Sequence, residues 1–134
     1  MNLLVSVNEV IKEFGTKSVP STLNVDGETV PDIEVIEIAL KEAQLEVFSY
    51  LRNVGVDITN ITNDTIFELR RHILFITRYK YQSKTAGSLK PENDIMITYE
   101  KSIEYLDKIS KGDLVLSTTK SKKSGFRSVR VETY

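Results

Sequence analysis

Thr65-Ile66-Phe67-Glu68-Leu69-Arg70-Arg71-His72-Ile73-Leu74-Phe75-Ile76-Thr77-Arg78-Tyr79 decides the fold. Ile66, Leu69, Ile73 and Ile76 recur at spacings of three and four, which is the period of one face of an α-helix. Phe67, Leu74, Phe75 and Tyr79 widen that stripe. A helix apolar over most of its circumference belongs in the centre of a domain, because every other placement leaves apolar surface in water. The hydroxyls and carboxylates between Thr62 and Glu68 supply caps for its first turn.

Working outward, the same period appears on both sides. Upstream, Ile36, Leu40, Ala43, Val47 and Leu51 form a stripe roughly six turns long. Pro31 suits the first turn of that helix, with Asp32 and Glu34 complementing the positive end of its dipole. Glu37, Lys41 and Glu42 fall on the other side, and the helix should end between Asn53 and Gly55. Val56 to Thr62 is an extended connector. Downstream, Ser83 to Lys90 forms a polar loop, and Pro91 opens a helix in which Ile95, Tyr99, Ile103, Leu106 and Ile109 face inward, closed by Gly112. At the start, Ser6-Val7-Asn8-Glu9 has the form of a capping box, and Gly15 stops the short helix it begins. Residues 16–30 hold Pro20, Gly27 and several small polar residues, which favours a loop over a hairpin at Asp26-Gly27. The expectation is an all-α fold: a small four-helix bundle, one short N-terminal helix plus three longer ones, over residues 1–116, followed by an extended tail over 117–134.

Composition agrees with one ordinary globular body. The chain has 134 residues, 40% hydrophobic and 28% charged, enough to bury a single core without staples. No apolar run approaches the length needed to cross a bilayer, so no membrane is expected. The N-terminus lacks a basic start and long apolar stretch, which places synthesis in a cytoplasm. There is no cysteine, hence no disulfide and no thiolate nucleophile or ligand. Net charge is −1, but Lys120, Lys122, Lys123, Arg127 and Arg130 stand against Glu132 alone at the end of the chain. The body is acidic and the tail basic, a split suited to a docking segment.

Candidates for chemistry are few. His72, the single histidine, has no second histidine at helical spacing and no evident nucleophile beside it, so it reads as a packed structural residue. Glu42 and Glu46 share one side of their helix and read as a solvated face. Glycines are scattered singly, with no phosphate-cradling motif. No cofactor, metal or catalytic residue is expected, and the chain does not read as an enzyme. Arg70, Arg71, Arg78 and Lys80, interleaved with Tyr79 and Tyr81, are the mixture that lines nucleic-acid grooves, but near-neutral overall charge and Glu68 within a turn of Arg71 favour ion pairing.

Phe14-Gly15, Ala39-Leu40 through Ala43 to Tyr50-Leu51, Thr77-Arg78-Tyr79, Tyr99 and Ile103 through Leu106 to Ile109-Ser110-Lys111-Gly112, and Leu114-Val115-Leu116 follow one another in the order of a known pattern. In that order the chain resembles a family of small virion proteins from the morphogenesis region of Mu-like phages and prophages, the head–tail joining (connector) proteins. Thr77 stands where that family usually has Ala, and the 16–30 segment departs from its pattern. The resemblance implies a structural adaptor at the head–tail interface of the virion, assembled from the host cytoplasm. It implies a portal protein and neighbouring tail or stopper proteins as partners. It also implies self-association, from a monomer in isolation, into a ring of about twelvefold symmetry through which packaged DNA passes without sequence-specific binding. Its docking element would be the tail, through Lys120, Lys122, Lys123, Phe126, Arg127, Val129, Arg130 and Val131, by ordering on contact or by adding a strand to a neighbour. The alternative is a small helical nucleic-acid-binding or regulatory protein using Arg70, Arg71, Arg78 and the basic tail.

Overall fold

Four helices and one short hairpin make up the computed structural model, which describes residues 4–86 and 93–116. In chain order they are α1 (Val7–Phe14), β1 (Ser21–Leu23), β2 (Thr29–Pro31), α2 (Ile33–Asn53), a single 3₁₀ turn (Ile58–Asn60), α3 (Asn63–Ala86) and α4 (Asp94–Ser110). The fold is thus a small, mainly α bundle, as its periodicity predicts. The extended tail expected over 117–134 lies outside the described residues.

The three long helices pack pairwise against one another, and α1 lies against α2. The predicted stripe of α2 is buried without exception: Ile36, Leu40, Ala43, Val47 and Leu51, joined by Ala39. From α3 come Leu69, Ile73 and Ile76, with Tyr81 a turn further on, and from α4 Leu106 and Ile109. Val10 anchors α1, while Val5, Val19, Ile61 and Leu116 carry the adjoining segments into the same core. Gln44 is also fully buried, where its side-chain oxygen accepts a hydrogen bond from the Leu4 N–H at 2.6 Å and ties the segment before α1 to α2.

Caps explain where the helices begin. In α1 the capping box forms as expected: Glu9 N–H donates to Ser6 Oγ at 3.2 Å, and Ser6 N–H donates to Glu9 Oε1 at 2.9 Å. Gly15 ends it with φ of 87°, a conformation that would strain any residue with a Cβ. Thr62 Oγ1 accepts from Thr65 N–H at 3.3 Å at the head of α3. Asn93 caps α4 by accepting from Ile95 N–H at 2.8 Å, so that helix begins three residues later than Pro91.

Three sequence expectations are corrected. Residues 21–31 form a hairpin rather than a loop, with Ser21 opposite Pro31, Thr22 opposite Val30 and Leu23 opposite Thr29. Its turn is organised by Asn24, whose Oδ1 accepts from Asp26 N–H at 2.9 Å and Glu28 N–H at 3.0 Å. Pro31 ends β2 and does not open α2. Asp32 is the N-cap, accepting from Val35 N–H at 3.3 Å, and a carboxylate one residue after the proline fixes the start at Ile33. Finally, α3 runs through Ser83 to Ala86, where the polar composition predicts a loop. The connector after α2 is extended except for its single 3₁₀ turn, capped by Asp57.

Candidate interaction surface

Cations dominate the polar chemistry of α3, and nearly all of them are engaged from within the chain. Arg70 forms an ion pair with Glu9 of α1, whose other carboxylate oxygen serves the capping box. Lys80 reaches Glu46 at 3.0 Å and Lys84 reaches Glu42 at 3.1 Å, both across to α2. The pair Glu42 and Glu46 is therefore not the free solvated face expected of it but the acidic half of two inter-helix bridges. Arg78 donates to Thr98 Oγ1 at 2.9 Å and contacts Asp94 at 3.4 Å on α4. Its guanidinium also lies 4.8 Å over the Phe14 ring of α1 and 5.8 Å from the Phe75 ring. With its side chain only 17% exposed, Arg78 holds three helices together.

Arg71 differs. It is exposed, makes no ion pair among the described residues, and rests 5.9 Å from the centre of the Phe75 ring. Phe67, one turn earlier on the same side, is 65% exposed, although its place in the apolar segment suggested burial. Phe67, Arg71 and Phe75 are spaced by four, so they form a continuous strip on the outer side of α3. The strip leads to a groove of about 470 Å³ bordered by Phe14, Lys17, Arg78 and Gln82.

His72 sits on the side of α3 facing α4. Its Nδ1 is 2.8 Å from Ser102 Oγ, a fully buried hydroxyl, and its ring stacks on Tyr105 with centroids 4.2 Å apart. Burial lowers its pKa, opposed by the nearby Glu68 carboxylate and reinforced by Arg71. Tyr105 in turn donates to Glu68 Oε1 at 3.1 Å, and burial raises its pKa strongly. Tyr79 and Tyr99 stack at 3.8 Å a little further along. These contacts join α3 to α4, which makes His72 a packing residue. No group of three or more His, Asp or Glu among the described residues is arranged to hold a metal ion.

A second exposed patch lies on α2. Ile33, Ile38 and Leu45 are each close to half exposed, at 49%, 48% and 47%. Ile38 and Leu45, seven residues apart, point directly away from the buried stripe. Glu34 and Glu37 stand beside Ile38 with no ion pair among the described residues. Ile38 and Leu45 stand off the periodic stripe of α2, and that is the signal the sequence carries for them. The tail candidates Lys120, Lys122, Lys123, Phe126, Arg127, Val129, Arg130 and Val131 lie outside the described residues.

The body is a mainly helical bundle with exposed patches on α2 and α3, and no helix among the described residues is long and apolar enough to cross a membrane. Its sequence places it more narrowly. Residues 5–132 match the family model described as Bacteriophage Mu, Gp36, and the chain belongs to that family of phage proteins. No curated protein and no solved structure matches it significantly.

Proposed function

We propose that this protein is a structural head–tail connector: an adaptor that docks on the portal as a ring and links the DNA-filled capsid to the tail. The observation that carries this reading is the match to a phage Mu family over nearly the whole chain of a helical body with unpartnered exposed patches on two different helices. A subunit of a heterologous ring needs two complementary faces and no active site. The basic 117–134 segment supplies the docking arm to the portal or to neighbouring tail and stopper proteins. DNA passes through the channel without being read.

The nucleic-acid alternative is weakened at its own residues. Arg70 and Arg78 are held by Glu9, Asp94 and Thr98, so of the three arginines it uses, Arg71 alone faces outward without an acidic partner. Duplex binding by the purified chain should accordingly be weak, with no steep salt dependence.

The test uses tailless heads carrying a portal. The full chain should bind them as a ring visible by electron microscopy, and a chain lacking 117–134 should keep its helical circular dichroism but fail to attach. Unimpaired attachment of the shortened chain would remove the tail from the mechanism. Failure of the full chain to attach would remove the connector reading itself.

A further inference from the structure

Two exposed patches described above are complementary, and they lie on different sides of the bundle. The α3 patch is aromatic and cationic: Phe67, 65% exposed, and Arg71, exposed and without an acidic partner among the described residues. The α2 patch is aliphatic and anionic: Ile38, about half exposed, beside Glu34 and Glu37. The Phe67–Arg71 strip and Ile38 each lie opposite the buried stripe of their own helix, and because α2 and α3 share one core, these two faces point away from each other. A single chain cannot bring them together.

We infer that the Phe67–Arg71 strip of one subunit docks on the first turns of α2 of a second copy, against Ile38 and the Glu34–Glu37 pair. The inference rests on the ring reading and names the lateral interface that such a ring requires. The occupant is a second copy because charge complementarity is supplied by this chain itself. An arginine that already lies against an aromatic ring meets two carboxylates left unpaired, and a large exposed phenyl meets the exposed Ile38. Aromatic residues and arginine are the side chains that carry most binding energy at protein interfaces. Register follows from Lys41, which stands one turn beyond Glu37 on the same side of α2. Sliding toward Leu45 would bring Arg71 against Lys41, a like-charge clash that confines the contact to the N-terminal end of the helix. The contact joins two different patches, so it is heterologous. Repeated from subunit to subunit, it closes into a ring or continues as a filament.

The absence of cysteine makes the test clean. A chain carrying both F67C and I38C, oxidised while bound to portal-bearing heads and at high concentration free in solution, should give a ladder of covalent multimers on a denaturing gel. Chains with either cysteine alone should stay monomeric. In parallel, Arg71→Glu should weaken subunit association at least about tenfold, as should Glu34→Lys with Glu37→Lys. The triple reversal in one chain should restore it to within about threefold. Circular dichroism of each variant shows whether the helices survive. Dimers from F67C alone would mean that the strip meets itself, and would overturn the inference. Rings that form on heads without the F67C–I38C ladder, or that ignore the charge reversals, would overturn it too, while leaving the connector reading in place. Absence of any ring or attachment by the unmodified chain would sink that reading and this interface with it.

Discussion

At the scale of single residues, burial governs the unusual groups. His72 is neutral in the folded protein to lower pH than in the unfolded chain, because removing its ring from water penalises the charged form. Above the ordinary histidine pKa of 6.5 both states hold neutral imidazole and the group contributes no pH dependence. As pH falls below that value the unfolded chain takes up the proton first, so stability is lost until the folded-state pKa is passed. The melting temperature should therefore drop between pH 7.5 and pH 5 more steeply in the parent than in His72→Gln, and identical slopes would show that His72 is not the responsible group. Tyr81 presents a second case. It is fully buried, its hydroxyl has no hydrogen-bond partner among the described residues, and burial pushes its pKa up to about 12 against the opposing field of Arg78. Removing an unsatisfied buried hydroxyl takes away a desolvation cost while keeping the ring's packing. Tyr81→Phe should be neutral or stabilising by up to about 1 kcal/mol in urea denaturation, and a loss of 1 kcal/mol or more would reveal a partner for that oxygen. Thr77 is by contrast satisfied. Its hydroxyl donates to the Ile73 carbonyl one turn back at 2.7 Å, which lets a polar residue sit at a fully buried position.

At the scale of elements, α1 shows how a helix of eight residues persists. It is too short to be stable alone, so its capping box and its contacts with α2 and α3 must hold it. Ser6→Ala removes the acceptor for Glu9 N–H and should cost about 1 kcal/mol of global stability. Glu9→Gln keeps a side-chain acceptor for the cap but discards the charge facing Arg70. Because both partners of that pair are 40% exposed, it should cost no more than about 1 kcal/mol, less at high salt. A larger loss for Glu9→Gln than for Ser6→Ala in chemical denaturation would reverse this ranking. Elements of this kind were legible in the sequence because their signals are local. The α2 stripe from Ile36 to Leu51, the Ser6–Glu9 box and the Gly15 stop each depend on residues within a turn or two. The hairpin was not legible, since β1 and β2 have three residues each and expose most of their side chains, leaving no alternation to detect. Pro31 was misplaced because a proline at the end of an edge strand and one at the first helical position look alike until the cap at Asp32 is recognised. The surface strip was half legible. Phe67 counted as core because periodicity records which residues are apolar and not which side of a helix a neighbour covers.

At the scale of the whole molecule, the question is where the folded body ends. Asn53 of α2 donates to Ser110 Oγ at 3.4 Å, so the ends of α2 and α4 lie together. Beyond Gly112 the chain turns back onto the core, with Leu114 partly covered and Leu116 only 7% exposed. Burying an aliphatic side chain of this size contributes about 1.5–3 kcal/mol, so Leu116 belongs to the body, while the residues after it carry the basic charge proposed for docking. Two truncations separate these roles. A chain ending at Leu116 should melt close to the full-length protein, and its loss should be one of attachment to portal-bearing heads. A chain ending at Asp113 loses both leucines, uncovers the part of the core they close, and should be destabilised by about 2–4 kcal/mol. Equal stability of the two truncated chains in urea would mean that Leu116 contributes nothing to the core. A large loss already at the Leu116 truncation would make the 117–134 segment part of the fold, and its proposed role as a separable docking arm would fail with it.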